Sequence, residues 1–151
     1  MNPPSIIRFL ATRLGIFLVA VAVAYLLAAV TATQAVISSL AGLGIDVNMA
    51  DRVAMTLHDI AGMAGMFLPM IAFGLLVAFL VTALLCRWFG QWRSLLYPLA
   101  GAAALVTIHV ALNLSFEITP VAIARTPIGL LIQALAGAAG GYTYIALIRK
   151  A

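Results

Sequence analysis

The charged residues of this chain fall into clusters separated by four long uncharged stretches. No Asp, Glu, Lys or Arg occurs between Arg13 and Asp46, between Asp59 and Arg87, between Arg93 and Glu117, or between Arg125 and Arg149. Each stretch exceeds the ~20 apolar residues that carry a helix across a hydrocarbon core ~30 Å thick. The pattern predicts four transmembrane helices, roughly 14–40, 60–86, 94–116 and 127–148. An open sheet leaves backbone groups unsatisfied in lipid, and strands of alternating polarity are absent, so the pattern favours helices over a barrel. The predicted fold is all-α: an integral-membrane four-helix bundle forming a single transmembrane domain over residues 1–151.

Local signals add a fifth element. Asn48 with Asp51 reads as a helix N-cap followed by an acid in the first turn. A straight helix from Met49 to Cys86 would be ~57 Å long, far more than the membrane requires. Gly62, Gly65 and Pro69 are the places to break it. A short interfacial helix, 49–59, is therefore expected before the second span. Ser94 with Pro98, and Thr126 with Pro127, mark the starts of the third and fourth spans. Pro120 closes the third.

Composition changes little and confirms the class. Hydrophobic residues make up 66% of the chain and charged residues 8%, against about 25% charged in a soluble domain; the mean hydropathy is +1.20. The charge distribution predicts orientation. Arg8, Arg13, Arg87, Arg93, Arg149 and Lys150 belong to one side, whereas Arg52, Arg125, Asp46, Asp51, Asp59 and Glu117 belong to the other. The positive-inside rule puts both termini in the cytoplasm of a bacterial-type inner membrane, and Trp88, Trp92, Tyr97, Tyr142 and Tyr144 gather at that end as an aromatic belt. The net charge of +4 is thereby explained as topology anchoring, without a nucleic-acid partner. The first segment resembles a signal peptide ending near Thr33-Gln34-Ala35, but its apolar run is longer than the usual ~7–15 residues, so it reads as a retained helix.

Candidate chemistry lies in polar residues at membrane depth. His109, Asn113 and Glu117 recur every four residues and so stack along one flank of the third helix. Such groups are costly in lipid unless paired, hydrated or turned toward a protein interior. With ~1.5 Å per residue, Gln34 and Gln133 fall in the same outer half as His109 and Asn113, while His58, Asp59 and Glu117 fall near the outer boundary. An outward-facing polar vestibule is expected, binding or conducting a proton, cation or small polar ligand through His109, Asn113, Glu117, Gln34 and Gln133. The competing reading makes Gln34 and Gln133 interhelical glue and the His109–Asn113 pair a structural hydrogen bond. Burial disfavours a charged imidazole and a neighbouring Glu117 favours it, which together would make a proton-responsive element.

Two further function classes stand beside this one. Small residues on several faces, including the Gly137/Gly141 GxxxG pair and Gly62 and Gly65, suit close helix packing within the bundle, or docking by another copy or another membrane subunit in a larger complex. His58, Asp59 and Glu117 have the ligand chemistry for a divalent metal, and the two histidines bring haem b into consideration, although their depths differ. Met63, Met66 and Met70 share a face of the second helix. Enzyme signatures are otherwise lacking: Cys86 is single, and no phosphate loop, nucleophile elbow or HExxH appears.

Overall fold

The structure, a computed structural model, describes residues 3–116 and 122–150. Five α-helices account for nearly all of it: α1 (Pro3–Gly42), α2 (Met49–Ala64), α3 (Phe67–Leu85), α4 (Arg93–Phe116) and α5 (Pro127–Ile148). Short 3-10 turns at Gly90–Trp92 and Ala122–Arg125 lead into α4 and α5. There is no strand among the described residues. Helices α1, α3, α4 and α5 are each long and apolar enough to cross a membrane, so the chain is an all-helical, multi-pass membrane protein.

The helix ends follow local chemistry. α1 closes in a Schellman motif, with Ile45 N–H donating to Leu40 O at 3.1 Å and Gly44 N–H to Ala41 O at 3.0 Å. Gly44 supplies the left-handed conformation (φ +80°) this motif requires. Asn48 caps α2 by accepting from Asp51 N–H at 2.9 Å. The expected break falls at Gly65–Met66, so α2 runs five residues beyond the predicted end at Asp59 and α3 begins at Phe67. Pro69 explains the position: its ring would clash with the carbonyl four residues back, that of Gly65, and cannot supply the N–H that carbonyl needs. In the first turn of α3 the missing donor costs nothing, because it would be orphaned there anyway. Thr126 caps α5, accepting from Gly129 N–H at 3.0 Å. Ser94 does not cap α4; it is the second residue of the helix, which starts at Arg93 directly after the 3-10 turn.

The four long helices form a closed ring in the order α1–α5–α4–α3. Its tightest seams use small residues. A Cβ on Gly101 would fall on the backbone of Gly137, one on Gly137 would fall on Gly101, and one on Gly141 on the carbonyl of Tyr97. The Gly137/Gly141 pair is thus consumed inside the chain, letting the α4 and α5 backbones touch. Across the other seam, Ala20 and Ala24 of α1 meet Gly140. Gly62 and Gly65 behave differently: nothing lies within 4 Å of where their side chains would project. At one end of the bundle, Phe17, Phe79, Tyr97 and Tyr144 make a ring cluster, with Phe79 stacked on Tyr144 at 4.6 Å.

α1 has 40 residues, about 60 Å by helical rise, twice a hydrocarbon core. α2 folds back antiparallel along its far end. Gln34 Nε2 donates to Thr56 Oγ1 at 3.3 Å, Thr33 Oγ1 to Asp59 Oδ2 at 2.8 Å, and the Tyr25 hydroxyl to the carbonyl of Ile60. No residue of α2 is fully buried, so it covers α1 from outside rather than entering the core.

Candidate functional site

The polar residues at membrane depth form two groups. The inner one is built on Gln133 of α5, which is fully buried. Its Nε2 donates to Ala28 O at 3.1 Å and to Thr31 Oγ1 at 3.3 Å, both on α1. The orientation of this amide is determined by its partners. A backbone carbonyl can only accept, and the Thr31 hydroxyl spends its proton on Leu27 O at 2.7 Å. Both therefore require the NH₂ end of Gln133, which turns Oε1 toward α4. There it meets His109 Nε2 at 3.4 Å.

The tautomer of His109 follows. Facing an acceptor, Nε2 carries the proton, and in the neutral imidazole Nδ1 is then the acceptor. His109 is 3% exposed, and Nδ1 has no hydrogen-bond partner among the described residues. A buried acceptor left unmatched costs about 1–3 kcal/mol, and groups of this kind are uncommon enough to point to a bound species or a chemical role. The ring itself is held by Phe67, whose centroid lies 5.7 Å away and which also packs on Tyr25 at 6.4 Å. Phe67 is the first residue of α3, so the break at Gly65–Met66 sets this packing.

A cavity of about 160 Å³ adjoins His109, lined also by Val110, Asn113, Leu114, Ala124 and Leu130. Asn113 is exposed, one turn along α4, and brings an amide to the same space. The cavity lies where the end of α4 meets the 3-10 turn and the start of α5. Away from the cavity, Ile71, Leu75 and Leu105 are completely buried in one packed cluster with Phe79 and Tyr97, and the Phe79, Tyr97 and Tyr144 rings pack on one another.

The outer group is the α1–α2 contact. Asp59 accepts from Thr33, and Gln34 pairs with Thr56. Gln34 therefore does not join His109, in contrast to a single layer to which every helix contributes. The reason is rotation about the α1 axis: Ala28 and Thr31 turn toward α5, whereas Gln34 turns toward α2. His58 is exposed on α2. Glu117, expected both beside His109 and as a metal ligand with His58 and Asp59, lies outside the described residues, as does Pro120. Among the described residues no group of three His, Cys, Asp or Glu is placed to hold a metal ion. Thr31, Thr33, Thr56 and Tyr25 complete these two groups and were not among the sequence candidates. Their signal is weak, because a threonine inside an apolar helix usually bonds only its own backbone.

Compared with known protein families, curated proteins and solved structures, the chain matches none.

Proposed function

We propose that this chain is a bacterial-type inner-membrane protein, both termini cytoplasmic, whose cavity beside His109 and Asn113 binds a proton or a small hydrogen-bond donor reaching it from the outer side. The observation that carries the reading is the buried acceptor Nδ1 of His109, unmatched among the described residues, on a residue that also lines a cavity. An acceptor calls for a partner that donates: a proton, a hydroxyl group, or an ammonium-type cation. Asn113, with an amide that both donates and accepts, offers such a ligand a second contact. The packed cluster of Ile71, Leu75 and Leu105 away from the cavity favours binding over conduction. The Gly137/Gly141 contact, internal to the chain, removes that face as support for a docking role.

The test uses ¹⁵N-histidine-labelled protein in lipid nanodiscs, with His58→Gln leaving one imidazole signal. The Nδ1 resonance of His109 is expected to move across about pH 5 to pH 8 or on adding ammonium chloride, and to stay put with choline chloride. Asn113→Leu is expected to weaken the ammonium response. An Nδ1 resonance that ignores both pH and ammonium overturns the proposal.

A further inference from the structure

A larger concavity lies on the outer face of the α3–α4 pair. It has a volume of about 800 Å³ and is almost wholly apolar, floored by Gly74, Ala78, Ala100, Ala103 and Ala104. The volume falls within the ~300–1,000 Å³ range of ligand sites. It exists because small residues on both helices leave space that larger side chains would fill, and because Gly74 admits only the tip of Ile108. The groove runs from Met70 and Leu112 at one end to Leu85 and Leu96 at the other. From Met70 to Leu85 α3 rises about 22 Å, enough to seat an extended acyl chain from one leaflet of a ~30 Å core.

What lies at the Leu85/Leu96 end identifies the occupant. Arg87 follows Leu85 by two residues and Arg93 precedes Leu96 by three, and both are exposed, so the chain brings two arginines to this end of the groove. Neither forms an ion pair among the described residues, and Asp46, Asp51 and Asp59 belong to the opposite end of the bundle. Arg13 of α1 lies one helical turn from Phe17, whose ring meets Phe79 at this end of the bundle, so a third helix also brings positive charge to it. Trp88 is 81% exposed and Trp92 52% exposed, as suits side chains seated among lipid headgroups. An apolar groove with two arginines near one end is complementary to an anion carrying a long hydrocarbon tail. Basic pockets between membrane helices recognise anionic headgroups in this manner, and arginine matches phosphate geometry with two parallel donors.

We propose that the α3–α4 groove binds one anionic phospholipid, an acyl chain lying against Gly74, Ala100 and Ala103 and the phosphate held by Arg87 and Arg93. The site is separate from the His109 cavity and does not depend on its role. The test is native mass spectrometry of the full chain from mild detergent with equal amounts of phosphatidylglycerol and phosphatidylcholine. Wild type is expected to retain a single phosphatidylglycerol with a preference on the order of tenfold. Arg87→Gln with Arg93→Gln is expected to abolish the preference while leaving tail-dependent binding of both lipids. Ala103→Phe, at an exposed position on the groove wall, is expected to lose both, with thermal unfolding as the check on folding. Equal retention of the two lipids by wild type, selectivity surviving the double arginine change, or unaltered binding by Ala103→Phe overturns the proposal. So does a two-chain mass that Ala103→Phe dissociates, which would make a second copy the occupant.

Discussion

His109 is held by a chain of hydrogen bonds whose direction is determined at its far end. Ala28 O and the Thr31 hydroxyl demand donors, Gln133 supplies both from one NH₂, and the imidazole receives what remains, an acceptor. Gln133→Glu replaces that NH₂ with an oxygen. The variant is expected to shift the tautomer or protonation of His109, read from the ¹⁵N resonances of the ring, because a carboxylate brings no donor to Ala28 O. Gln133→Leu removes the whole junction and leaves His109 Nε2–H buried without its partner. Interhelical hydrogen bonds in membranes average about 0.6 kcal/mol, with a maximum near 1.7. The full burial of Gln133 places its loss toward the upper part of that range, about 1–1.7 kcal/mol, measured by reversible unfolding in detergent mixtures. A loss below a few tenths would show the junction to be energetically idle.

At the scale of the helices, glycine acts in two opposite ways that a substitution series separates. Gly137→Ala drives a methyl into the backbone of Gly101, forcing α4 and α5 apart at a cost of about 1–3 kcal/mol. Gly62→Ala meets nothing within 4 Å and trades a flexible residue for the best helix former, a gain of up to about 1 kcal/mol. Thermal unfolding of the two variants side by side should move in opposite directions. These positions also show what the sequence could and could not convey. The spans were legible because a charge in lipid is so costly that its absence over 20 or more residues marks each crossing. The break before α3 was legible as a region, since Gly62, Gly65 and Pro69 all weaken a helix. Only the clash that the Pro69 ring would make with the Gly65 carbonyl decides among them. The antiparallel α1–α2 contact was not legible, because it rests on side chains 22 to 35 residues apart. Depth arithmetic brought His109 and Gln133 to one level, where the structure joins them. Depth alone says nothing of rotation about the axis, which sends Gln34 to α2 and lets Thr31 take its place.

On the scale of the whole molecule, charge and packing divide the bundle along its axis. Arg13, Arg87, Arg93 and Arg149 lie at the same ends of α1, α3, α4 and α5, where the aromatic cluster of Phe17, Phe79, Tyr97 and Tyr144 ties the helices together. The α1–α2 hairpin, with Asp46, Asp51 and Asp59, stands at the other. Basic residues near the ends of spans are retained in the cytoplasm during insertion, whereas acids exert little influence. The arginine end is therefore expected to face inward, which directs the His109 cavity and the hairpin outward. Cys86 is buried, and Cys86→Ser gives a background for single cysteines at two exposed positions, Leu43→Cys in the α1–α2 turn and Trp88→Cys between α3 and α4. In spheroplasts, a membrane-impermeant maleimide should label Leu43→Cys directly and Trp88→Cys only after the membrane is opened. The reverse pattern would invert the orientation and place the His109 cavity on the cytoplasmic side. Labelling of both before permeabilisation would mean that α3 does not cross the membrane, contrary to its length and composition.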